Sequence, residues 1–150
     1  MQIEQAIHQK KPFKNEWQRA AVNLLFTSNW LKHHQTAILK KYGLTIQQYN
    51  VLRILKGADR PISTSVIRER LIDKMADTSR LAERMAQKNL VQRTPCADDK
   101  RLIDVSLSNK GIKLVNKVEE ALPTMDDLLS ELSQDEAKIL NNLLDKLRGE

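Results

Sequence analysis

Residues 97–111 read ADDKRLIDVSLSNKG, and the fold turns on that stretch. From Leu102 to Leu107 the apolar residues alternate, with Ile103, Val105 and Leu107 on one side, which predicts a half-buried strand. Upstream, Leu90 to Thr94 reads as a second strand. Residues 95–101 lie between the two, too many for a tight turn and rich in charge, so the pair is predicted to be a hairpin with a projecting loop. Ser108 can cap a helix that follows directly.

Everything before the hairpin has a helical period. Residues 15–41 trace one face through Trp17, Ala21, Leu24, Ser28, Leu31, Gln35 and Ile38, and Gly43 suits a left-handed cap. Such a length is natural if both sides of the helix find partners. Thr45 and Gln48 have capping-box spacing and start a second helix with Ile46, Tyr49, Val51, Leu52 and Leu55 on its apolar stripe. That helix is expected to break between Gly57 and Pro61. Ser63 or Thr64 can cap a third, in which Val66, Ile67 and Leu71 face inward. A fourth is expected over residues 76–88, with Leu81 and Met85 inward, Thr78 and Ala82 beside them, and Asn89 as a left-handed cap. After the hairpin, Ile112, Val115, Val118 and Leu122 line a fifth helix, which Pro123 ends or kinks. Ser133 and Glu136 form another capping box, opening a sixth helix with Ile139, Leu140, Leu143, Leu144 and Leu147 on one face.

The predicted class is therefore mostly α, a winged helix-turn-helix with a two-stranded wing hairpin and long N- and C-terminal helices. A helix fits the DNA major groove and reads base edges there, and a hairpin loop reaches the adjacent minor groove. The fourth helix offers Ser79, Arg80 and Arg84 from one surface. Lys100 and Arg101 sit at the loop, where a cation enters a groove of strong negative potential. Alone, such arginines read as a solvated face paired with Asp77 or Glu83; the helix order around them turns the reading to DNA.

Charge agrees. Residues 1–41 carry seven Lys/Arg and two Asp/Glu, residues 42–111 thirteen and eight, and residues 112–150 five and nine. Two basic thirds and an acidic tail suggest that one part meets a polyanion and another does not. Hydrophobic residues make up 41%, enough for a core, and no apolar run approaches the roughly 18 residues of a membrane span. The single cysteine, Cys96, excludes an intramolecular disulfide framework and fits a reducing compartment. The start has no apolar central segment of a secretory signal, so a cytoplasmic location is expected. No Gly-rich phosphate loop, metal-ligand cluster or nucleophile–base spacing points to an enzyme, and no cofactor is expected. His33 and His34 are adjacent on a helix and make a poor chelate. Trp17, Trp30 and Tyr42 read as core or interface, with a ligand-pocket wall as the alternative.

Three stretches, LTIQQYNVLRIL (44–55), DTSRLAERMAQKNLVQR (77–93) and DDKRLIDVSLSNKG (98–111), resemble the MarR family of winged-helix transcriptional regulators. The last is the most specific: an acidic residue, a basic pair, an alternating strand, then Leu-Ser-x-x-Gly. The resemblance implies one domain over residues 1–150, with about 1–42 and 112–150 as dimerisation helices and about 43–111 as the DNA-binding region. It makes the fourth helix the recognition helix, places Asp99 as a wing brace against Arg84, and sends Arg101 into the minor groove. Thr64, Ser65, Thr78, Ser79, Arg80, Arg84, Lys88, Lys100 and Arg101 form the expected DNA-binding set. The partners implied are double-stranded DNA with a pseudo-palindromic operator, a second copy of the chain and a small-molecule effector, with no membrane. The implied function is a dimeric, sequence-specific repressor relieved by that effector; the alternative is a winged-helix protein-interaction module without operator binding.

Departures from the family pattern are local. Asn89 stands where Gly is frequent, and Ser108 where Thr is usual. Thr64-Ser65 and Arg68-Glu69 replace a more apolar third helix. Asp77 opens the recognition helix, where it suits the helix dipole but repels phosphate.

Overall fold

A short helix that the sequence reading did not anticipate, α1 (Ile3–Ala6), precedes the long helix α2 (Glu16–Lys40). The computed structural model describes residues 1–96, 99, 102–121 and 125–149. They divide into two compact units, Met1–Val118 and Glu119–Glu150. Among the described residues no helix is long and apolar enough to cross a membrane.

Local signals place most boundaries of the first unit. Asn15 caps α2 by accepting from the Gln18 N–H at 2.9 Å, and Gly43 beyond its end has φ +66°. Thr45 and Gln48 close their capping box at the start of α3 (Ile46–Ala58). That helix runs through Gly57 and stops at Asp59, which is itself left-handed at φ +52°. The break thus falls within the expected window of residues 57–61, past Gly57, because a helix tolerates one glycine at a cost of about 1 kcal/mol. Ser63 caps α4 (Thr64–Arg70), and α5 (Thr78–Gln87) follows after a turn. In that turn Asp73 accepts from the Gln47 side-chain amide at 2.8 Å and from the Met75 N–H at 3.1 Å.

The hairpin is present as β2 (Val91–Pro95) and β3 (Ile103–Leu107), antiparallel, with Val91 opposite Leu107 and Pro95 opposite Ile103. A third strand, β1 (Ile62–Ser63), pairs with the other edge of β3 and puts Ile62 opposite Val105. The wing is thus part of a three-stranded sheet in the order β1-β3-β2, where two strands were expected. Two residues carry no period, so β1 has no signature in sequence.

α3 packs on α2, α4 and β3, while α5 packs on α4 and β2. Leu39, Leu52, Ile67, Leu71, Met85 and Val105 are fully buried between them. The same core takes in Val115 and Val118 of α6 (Asn109–Ala121). Glycine is obligatory at position 111: a Cβ there would lie 2.0 Å from the Leu90 carbonyl oxygen. This close approach lets Ser108 tie two segments together. Its hydroxyl donates to Asn89 O at 2.6 Å and accepts from the Gly111 N–H at 3.0 Å. The Leu-Ser-x-x-Gly run therefore welds the end of α5 to the start of α6.

The second unit contains α7 (Met125–Leu128) and α8 (Gln134–Arg148). Ser133 and Glu136 form the expected capping box, and Gly149 ends α8 in the left-handed region. No residue of α8 is buried. Leu122 and Pro123, read as the end of the fifth helix, lie outside the described residues.

Candidate nucleic-acid interface

The hydrophobic period of α5 decides what it can offer. Thr78, Leu81, Ala82 and Met85 are buried, at spacings of three and four residues, and form its inner face. Ser79, Glu83 and the two arginines Arg80 and Arg84 are left on the exposed face. Arg80 and Arg84 are one turn apart, so both guanidinium groups project from the same side. Thr78, another of the expected contacts, sits differently. Thr78 is only 5% exposed, and its hydroxyl donates to Ala76 O at 3.3 Å. It belongs to the inner face, at the helix end that borders an open groove.

An open groove of about 460 Å³ lies where the first turns of α4 and α5 meet. Thr64 and Ser65 line it from α4, and Thr78 and Ser79 from α5. The Ser65 hydroxyl is held 2.7 Å from the hydroxyl of Ser63, the α4 cap. Four of the residues expected to meet DNA thus converge in space. Arg68 and Lys74 line the same groove and were not singled out in the sequence. Arg68 follows Thr64 by four residues on α4, a spacing that places them on one face. Lys74 is in the turn, where no period points to it; its ammonium donates to Glu69 O at 2.5 Å.

At the start of α5, Asp77 Oδ1 accepts from the Arg80 backbone N–H at 3.0 Å, and Oδ2 lies 3.8 Å from Arg80 Nε. Lys88 stands at the opposite end of α5. Its ammonium donates to Gly43 O at 3.2 Å, and its own carbonyl accepts from Lys110 Nζ at 2.9 Å. Lys88 therefore ties α5 to the turn after α2 and stands apart from the groove.

The wing closes where the Cys96 N–H donates to Leu102 O at 3.0 Å. Within the loop, Asp99 O accepts from the Leu102 N–H at 2.9 Å. Lys100 and Arg101 lie outside the described residues. Among those described, no group of three or more His, Cys, Asp and Glu side chains could hold a metal ion. His34 has a structural partner: its Nδ1–H donates to Trp30 O at 2.9 Å, and the rings of His34 and Trp30 are 4.6 Å apart.

The profile of the MarR family matches residues 42–102, which span α3 to the wing. The transcriptional regulator PecS of Dickeya dadantii is 32% identical over 114 residues, covering 73% of this chain and 68% of its own. The chain belongs to the MarR family. As a MarR-family member it is a winged-helix, DNA-binding transcriptional regulator and not an enzyme. Solved structures agree on the MarR fold. A mutant MarR from E. coli complexed with operator DNA superposes with a TM-score of 0.74 at 24% identity, covering 83% of this chain and 91% of that one. The organohalide sensing regulator RdhR, bound to 2,4-dichlorophenol, gives 0.80 at 19% identity, covering 94% and 86%.

Proposed function

We propose that this MarR-family chain is a homodimeric repressor that binds a pseudo-palindromic operator and is released by a small-molecule effector. The observation that carries the DNA part is the outer face of α5. Ser79, Arg80 and Arg84 stand exposed on a helix whose other face is locked into the core. Arginine pairs bidentately with guanine O6 and N7, and hydroxyls contact bases or phosphates. Thr64 and Ser65 from the first turn of α4, with Arg68 one turn on, supply neighbouring contacts. In this reading Lys100 and Arg101 reach the minor groove from the wing, and Asp99 braces that wing against Arg84.

Dimerisation draws support from apolar faces that the single chain leaves open. On α2, Trp17 is 84% and Leu25 67% exposed; on α8, Leu147 is 70% exposed, with Ile139 and Leu143 also in solvent. A second copy covers such faces, and its two-fold axis sets half-sites about 34 Å apart. Release by an effector rests on the relative that binds 2,4-dichlorophenol.

A gel-shift titration on the duplex upstream of the chain's own coding sequence tests the proposal. Arg80→Ala and Arg84→Ala should each cost about 1–3 kcal/mol on the operator and less on random DNA. Equal losses on both duplexes contradict base readout. A confirmed dimer that binds neither duplex at low salt favours the protein-interaction reading.

A further inference from the structure

Asp77 is an anionic side chain that, unlike Glu83 on the same exposed face, lines the groove proposed to meet a polyanion. Its cap does not need the charge, since Asn and Ser cap a helix about as well as Asp. What the carboxylate adds is a second oxygen with a set direction. The bond from the Arg80 N–H to Oδ1, at 3.0 Å, fixes the carboxylate orientation. Oδ2 is thereby left 3.8 Å from Arg80 Nε. The two side chains are 62% and 69% exposed, so the pair contributes little to stability. Asp77 also lines the groove shared by Thr64, Ser65 and Ser79.

We infer that Asp77 is a positioning and specificity-determining residue, an inference that rests on the proposed DNA contact of α5. Its charge attracts Arg80 from the Nε side at 3.8 Å, beyond hydrogen-bond reach, which biases the guanidinium while Asp77 engages neither terminal nitrogen of the fork. Guanine O6 and N7 accept two parallel N–H bonds from such a fork. The same carboxylate repels phosphate wherever no base contact compensates. Asp77 therefore weakens binding to every duplex, and weakens it most on DNA that offers Arg80 no guanine.

The test compares Asp77→Asn with the unaltered chain on operator and random duplexes of equal length across a salt series. Asn keeps the cap and removes the charge. Affinity for random DNA should rise several-fold, with a log–log salt slope steeper by up to about one. The operator-to-random ratio should fall about five-fold or more. Asp77→Ser, a second neutral cap, should reproduce the shift, which separates lost charge from any side effect of the amide. A ratio that stays at the original value in both variants overturns the inference while leaving the DNA-binding reading intact. If the unaltered chain binds neither duplex, both readings fall together.

Discussion

Helices α5 and α8 are both amphipathic and both capped at the N-terminus by a side chain, yet only one has its apolar face filled. α5 buries Thr78, Leu81, Ala82 and Met85 and turns its arginines outward. α8 buries nothing, although Ile139, Leu140, Leu143 and Leu147 repeat at helical spacing. The difference teaches that amphipathic pattern and capping specify a helix, and that a partner surface decides whether its stripe becomes core. Within α2 the same contrast falls along one element: Leu39 near its end is buried, while Trp17 near its start is exposed.

The sharpest way to break the contrast is to remove the unfilled helix. A chain ending after Leu128 should be monomeric by light scattering and the full chain dimeric. A stable dimer of the shortened chain would show that the apolar face of α8 is dispensable for pairing.

Next comes the weld behind α5. Gly111→Ala should destabilise the winged-helix unit by about 3 kcal/mol, because the new methyl group meets backbone and not a side chain that can swing aside. A denaturant midpoint equal to that of the unaltered chain would show that α6 shifts freely, and that the weld is loose.

Smaller still is the cap between α5 and β2. Asn89 has φ +56°, so Asn89→Ala should cost about 1 kcal/mol and Asn89→Gly should cost nothing. Equal midpoints for the two variants would contradict a backbone origin.

The smallest effect belongs to α8. Hydrogen bonds from the Ser133 hydroxyl and then the Ser133 N–H hold the Glu136 carboxyl below its ordinary pKa. A carboxyl whose folded pKa is lowered supports the fold above the ordinary carboxylate range. That support is lost as pH falls through the lowered value. Helicity by circular dichroism should therefore decline slightly on acidification. Glu136→Gln, which keeps the box without a titrating group, should flatten that decline.

Much of this architecture was legible because it is local. The Thr45–Gln48 and Ser133–Glu136 boxes, the left-handed Gly43 and Asn89, and the alternation of Ile103, Val105 and Leu107 each need only neighbours in the chain. Thr78, as a hydroxyl near two arginines, suggests DNA, and only the packing of α5 shows that it is also part of the inner face. The charge of Lys88 is visible in sequence, while the hydrogen bond of its ammonium to a carbonyl 45 residues away in the chain is not. Arg68 and Lys74 were passed over because nothing short of the fold brings α4, the turn and α5 to one groove.

By itself, then, the sequence determined the six longer helices, most of their caps, the hairpin and the family to which they belong, since hydrophobic period and hydrogen-bonding side chains act over a few residues. Tertiary structure alone decided that β1 exists, that residue 111 must be glycine and that α4, the turn after it and α5 line one groove. Two residues become a strand only when β3 offers them an edge. A Cβ is forbidden at position 111 only once the Leu90 carbonyl has arrived beside it. Those are contacts between segments distant in the chain, and their energies have no local pattern to announce them.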